Sequence, residues 1–105
     1  MIVNRGITGV SVAVGANTAI GTAATTPTLL YGYNLLSGTA DTAVSFLNGS
    51  SGTALWTDAM NGTTAAGEVS INCMFPEPII FTSGLYVTLT GTAAVANVCY
   101  RNLPV

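Results

Sequence analysis

Few residues in this chain can carry chemistry. Four carboxylates (Asp41, Asp58, Glu68, Glu77), two cysteines (Cys73, Cys99), two arginines (Arg5, Arg101) and seven serines make up the reactive inventory, and there is no histidine, lysine or glutamine. A glycosidase needs two carboxyl groups held about 5–10 Å apart across a cleft, and nothing in the spacing pairs these four. Asp41 and Asp58 lie beside turn residues, Glu68 follows Gly67 and Glu77 lies between Pro76 and Pro78, so solvated loop positions account for all of them. Serine hydrolysis fails because no imidazole is present to take the hydroxyl proton. Two distant cysteines without histidine cannot complete a tetrahedral zinc site, and no run of oxygen ligands around Asp41-Thr42 or Asp58 resembles a calcium loop. The inventory predicts a non-enzymatic chain with no metal and no cofactor.

The cysteines and aromatic residues then read as structural or adhesive groups. Cys73 falls on the apolar face of a strand pattern, while Cys99 shares a face with Asn97 and Arg101. Reduced thiols packing as small hydrophobes are therefore expected over a bridge. Tyr31, Tyr33, Trp56, Tyr86 and Tyr100 are candidate interface residues, since such side chains bridge a core edge and a partner; the competing use is stacking on a sugar. Arg101 joins them as a polar contact to a neighbour or as a solvated charge at a strand end, and both readings stay open. Asn48-Gly49-Ser50 and Asn61-Gly62-Thr63 match the glycosylation sequon, but each is an Asn-Gly turn first.

Charge is the most unusual property of the composition. Half of the 105 residues are hydrophobic and 6% are charged, against roughly 25% in ordinary soluble domains. A net charge of −2 from two arginines and four carboxylates offers no basic patch for a phosphate backbone, so nucleic acid is disfavoured as a partner. A folded chain of this size exposes roughly 5,500 Å², which leaves about one charge per 900 Å². Surface that poor in charge is expected to face protein rather than water, which predicts a subunit of an oligomer.

Positioning these residues falls to a single small domain. The uncharged stretches 6–40 and 78–100 are long enough to raise a membrane helix, but glycine, proline and threonine break both, so no membrane span is expected. Val10, Val12 and Val14 alternate with smaller residues, a strand pattern rather than a signal-peptide core. Residues 1–27 read as that strand followed by an extended arm, because the run Gly15 to Pro27 is of low complexity and has little to bury; its removal is expected to leave the rest folded. Residues 28–105 form the domain proper. Strands are expected at Leu29–Leu36, Ala43–Leu47, Ala54–Trp56, Val69–Phe75, Ile79–Phe81, Leu85–Thr90 and Ala94–Tyr100, separated by turns such as Asn48-Gly49, Asn61-Gly62 and Ser83-Gly84. Sixteen threonines and twelve glycines oppose helix. The fold class is all-β, an antiparallel β-sandwich of about eight short strands, with Val69, Ile71, Cys73, Phe75, Leu85, Val87 and Leu89 as its core faces.

Two groups of segments resemble a known family. Leu30-Tyr31-Gly32-Tyr33-Asn34-Leu35 with Thr42 to Gly49, and then Phe75-Pro76, Pro78 to Phe81, Ser83 to Gly91 and Val98-Cys99-Tyr100, are similar to small jelly-roll-like β-sandwich virion proteins of tailed bacteriophages. The likeness is greatest to head decoration, or cement, proteins, and it spans residues 28–101. It implies a virion component on the outer capsid surface, assembled in the host cytoplasm, that binds the major capsid protein across subunit boundaries, with a homotrimer as the expected oligomer. It brings no catalytic residues. The alternative is a fibre- or tail-associated, or cell-surface, carbohydrate-binding module of the same architecture.

Overall fold

A computed structural model of the chain describes residues 7–21 and 27–103. Eight strands follow one another: β1 (Thr8–Ala13), β2 (Gly15–Ile20), β3 (Thr28–Leu36), β4 (Thr42–Asn48), β5 (Thr53–Met60), β6 (Ser70–Phe81), β7 (Leu85–Thr90) and β8 (Val95–Asn102). They form two four-stranded antiparallel sheets, ordered β1-β8-β3-β6 and β2-β7-β4-β5. β4 pairs with β5, β3 with β6, β2 with β7 and β1 with β8, so successive ladders nest around the β4–β5 turn. The pairings β3–β8 and β4–β7 close each sheet.

Period-2 alternation explains which side chains face inward. Leu30, Tyr33 and Leu35 of β3 and Ala96 and Val98 of β8 meet Val44 and Phe46 of β4 and Leu85, Val87 and Leu89 of β7 in one buried cluster. Both sheets contribute to it, which makes the arrangement sandwich-like. Leu85, Val87 and Leu89 thus lie in the core as their alternation predicts. Tight turns hold the strands in register. Gly91 has φ +113°, and a Cβ there would sit 2.9 Å from the Thr42 Cα, so both backbone sign and space require glycine.

Several expectations are corrected. Residues 15–20 are not an extended arm: they form β2, paired with β7, and Ile20 is buried in the same core cluster as Val12 of β1. Small polar residues suffice there because β2 is an edge strand with a register irregularity between Gly15 and Thr18, and one large side chain anchors it. Strands β1 and β2 therefore belong to the two sheets, and the division at residue 27 does not separate an arm from the sandwich; residues 1–6 and 22–26 lie outside the described residues. The segments expected at Val69–Phe75 and Ile79–Phe81 are one strand, β6, interrupted where the register jumps from Gly32↔Met74 to Leu30↔Ile79. Pro76 and Pro78 are tolerated because β6 is an edge strand, with no outer neighbour among the described residues. β5 runs to Met60, well beyond Trp56. Val69 precedes β6 and is exposed, while Ile71, Cys73 and Phe75 are only partly buried against the core.

Candidate interaction surface

One flank of the molecule, where β5 ends the second sheet and β6 the first, holds a connected cluster of polar and aromatic side chains. Phe46 pairs with Trp56 and Val44 with Asp58, so Trp56 and Asp58 share the inward side of β5. The Tyr33 hydroxyl donates to Asp58 Oδ2 at 2.6 Å and accepts from Trp56 Nε1 at 2.9 Å. Phe75 closes the group, with its ring centroid 4.9 Å from Trp56 in an edge-to-face contact. Burial, and next the bond to Asp58, hold the Tyr33 hydroxyl well above the ordinary tyrosine value of 10.0. Asp58 is thus a half-buried acceptor within a strand, which corrects its reading as a solvated loop carboxylate. Asp41 behaves as expected of a turn residue, accepting from the Gly62 amide at 3.1 Å.

The sequence candidates separate accordingly. Tyr33 and Trp56 come together. Tyr33 is only 2% exposed and Tyr86 is buried, so neither has surface left to offer a partner. Tyr100 is partly buried against the core, and Tyr31 is half-buried where β3 slips register. Arg101 is half-buried in β8, opposite Leu29. Trp56 is the one candidate classed as exposed. Cys73 and Cys99 are both free thiols. Cys73 lies opposite the inward-facing Tyr33 and Cys99 opposite Gly32, one residue earlier in β3, so the two thiols lie on opposite faces of one sheet. Asn48 keeps a turn role, its Oδ1 accepting from the Ser83 amide at 2.8 Å.

Exposed large apolar side chains have a simple distribution. Val10 lies in β1, Leu55 and Trp56 in β5, and Met74 and Ile80 in β6, while Ile7, Val14 and Val69 immediately flank β1 or β6. None lies in the central strands β8, β3, β7 or β4. The two flanks where the sheets end are therefore apolar and, among the described strands, have no outer neighbour, a combination that sheet proteins facing only water avoid.

A second feature crosses the outer face of the first sheet. Ser11, Asn97, Asn34 and Asn72 lie side by side on β1, β8, β3 and β6. The Ser11 hydroxyl donates to Asn97 Oδ1 (2.6 Å), Asn97 Nδ2 to Asn34 Oδ1 (3.3 Å) and Asn34 Nδ2 to Asn72 Oδ1 (2.9 Å). The row borders a shallow groove of about 320 Å³ whose wall includes Gly9, Met74 and Cys99. Asparagine is depleted in strand interiors, so three mid-strand asparagines were the available signal for this row.

Among the described residues no cluster of three or more His, Cys, Asp or Glu gathers to hold a metal, and no helix is long and apolar enough to cross a membrane. Compared with known protein families, curated proteins and solved structures, the chain returns no match.

Proposed function

We propose that this chain is a non-enzymatic structural subunit that works by adhesion: a capsid decoration protein that binds the major capsid protein across subunit boundaries and stabilises the shell. The observation that carries the adhesive part is the segregation of exposed apolar side chains to the edge strands and the residues flanking them in a chain only 6% charged. Buried in an assembly, those edges satisfy their backbone groups and remove apolar area from water, at about 25 cal/mol per Å². The phage virion setting comes from the resemblance of residues 28–101 alone. Sheet orders β1-β8-β3-β6 and β2-β7-β4-β5 with nested ladders support the jelly-roll reading, an arrangement used by capsid and lectin domains alike.

Binding to assembled shells but not to free coat subunits would shift coat protein toward the assembled state by linkage. Co-sedimentation with assembled heads and with unassembled coat protein tests this: selective pelleting with heads is expected, and equal affinity for free subunits overturns it. The fibre or carbohydrate-binding alternative has less behind it. A sugar platform needs an open aromatic face, and Trp56 spends part of its indole on Phe75 and its N–H on Tyr33. Copy number per particle separates the two, hundreds for a head coat against a few to some tens for a fibre.

A further inference from the structure

The first sheet, β1-β8-β3-β6, ends in two edges that complement each other. Its polar row runs in one sense, each residue donating toward β6: Ser11 to Asn97, Asn97 to Asn34, Asn34 to Asn72. At the β6 end the row terminates in the Asn72 amide group, whose Nδ2 donates to no acceptor among the described residues. At the β1 end it begins with Ser11, whose hydroxyl oxygen still has lone pairs to accept with. A donor therefore stands at one edge of the sheet and an acceptor at the other, at the same level.

The backbones match as well. β1 keeps unbroken register with β8 from Thr8 to Ala13, and β6 keeps it with β3 from Ser70 to Met74. Beyond Met74 the register jumps, and Pro76, Glu77 and Pro78 occupy the interruption, devices that prevent further pairing. Neither short segment carries a charge. β1 runs parallel to β3 and β6 opposite to it, as the antiparallel steps β1–β8, β8–β3 and β3–β6 require. Hydrogen-bonded and non-bonded pairs alternate along such a row. With four strands in the sheet, the alternation returns in phase at a new β6–β1 junction.

We propose that a second copy of this chain docks its β1 edge, antiparallel, on the Ser70–Met74 edge of β6, with Asn72 opposite Ser11 of the neighbouring copy. The inference rests on the reading of the chain as an assembly subunit and names the surface through which copies meet. Asn72 Nδ2 then donates to the neighbour's Ser11, and the polar row continues from protomer to protomer. The same register sets Met74, 65% exposed, opposite Gly9, where no side chain competes for space, and Ser70 opposite Ala13. The contact is head to tail, so it closes into a ring if the rotation between copies allows and otherwise propagates.

Directed cross-linking tests it. In a Cys73→Ala, Cys99→Ser background, Ser11→Cys and Asn72→Cys chains are co-expressed and mildly oxidised. A disulfide-linked dimer is expected from the mixture and from neither variant alone. Linkage of either variant to itself would show a two-fold contact and overturn the proposal. Wild-type protein that is oligomeric while the mixture does not cross-link would also overturn it, leaving the assembly reading intact; a monomeric wild type would remove both. Val10→Lys guards against misfolded cysteine variants, because Val10 is exposed in β1. Its sedimentation coefficient is expected to fall to that of a single chain with the β-sheet circular dichroism spectrum retained, and an unchanged oligomer would count against the β1 edge.

Discussion

The hydroxyl of Tyr33 donates to the carboxylate of Asp58 at 2.6 Å, joining a central strand of the first sheet to the edge strand of the second. Trp56 adds its indole N–H to the same oxygen, so one phenol satisfies two groups of β5. Removing it in Tyr33→Phe keeps the ring against Phe46 but leaves the half-buried carboxylate and the indole N–H without their partner. A loss of about 1–3 kcal/mol is expected, read as a fall in melting temperature of roughly 4–8 °C per kcal/mol for a domain of this size. An unchanged melting temperature would mean that water replaces the hydroxyl at no cost.

The same hydroxyl sets a pH dependence. Its proton is held more tightly in the folded chain than at the ordinary value of 10.0, so the unfolded chain loses that proton first as pH rises. The associated stability is complete below pH 10.0 and declines as the solution is made more alkaline. Urea denaturation of wild type and Tyr33→Phe at neutral pH and above pH 10.0 should show a steeper alkaline loss in wild type; parallel losses would remove Tyr33 as a cause.

Residues 8–20 should prove indispensable to the fold. Ile20 is 3% exposed and anchors β2 in the common core, so Ile20→Ala is expected to cost about 2–5 kcal/mol. Deleting residues 1–21 would strip an edge strand from each sheet and open the core flank, and a loss of cooperative unfolding is expected. A truncated chain melting like the full one would restore the dispensable arm.

Both thiols should be open to alkylation in the unfolded chain. Because Cys73 and Cys99 lie on opposite faces of the first sheet, alkylation under denaturing, non-reducing conditions is expected to add two groups per chain by intact mass. A chain that takes up none would hold a disulfide and a different register between β3 and its neighbours.

Much of the architecture was legible because turns and alternation are local signals. Leu85–Thr90 has the expected bounds, and Leu85, Val87 and Leu89 fill the core, since a central strand is buried on one face and its pattern is unambiguous. Edge strands gave the errors. β2 has one large apolar residue, Ile20, and its remaining side chains look like those of a loop; what makes it a strand is its partner β7, far away in sequence, with Ile20 opposite Leu85 and Gly15 opposite Leu89. Pro76 and Pro78 read as a break between strands, whereas on an edge they only interrupt the ladder. Tyr33, Trp56 and Asp58 could be singled out one by one as aromatic or acidic. Their meeting depends on two sheets facing each other, which no spacing along the chain encodes.

Native mass by light scattering behind a sizing column tests the adhesive reading most directly. A chain of 10.6 kDa with apolar edge strands is expected to elute as a multiple of that mass, three chains in the decoration-protein reading. A well-behaved 10.6 kDa species over the whole accessible concentration range would contradict it, because the edges would then tolerate water unaided.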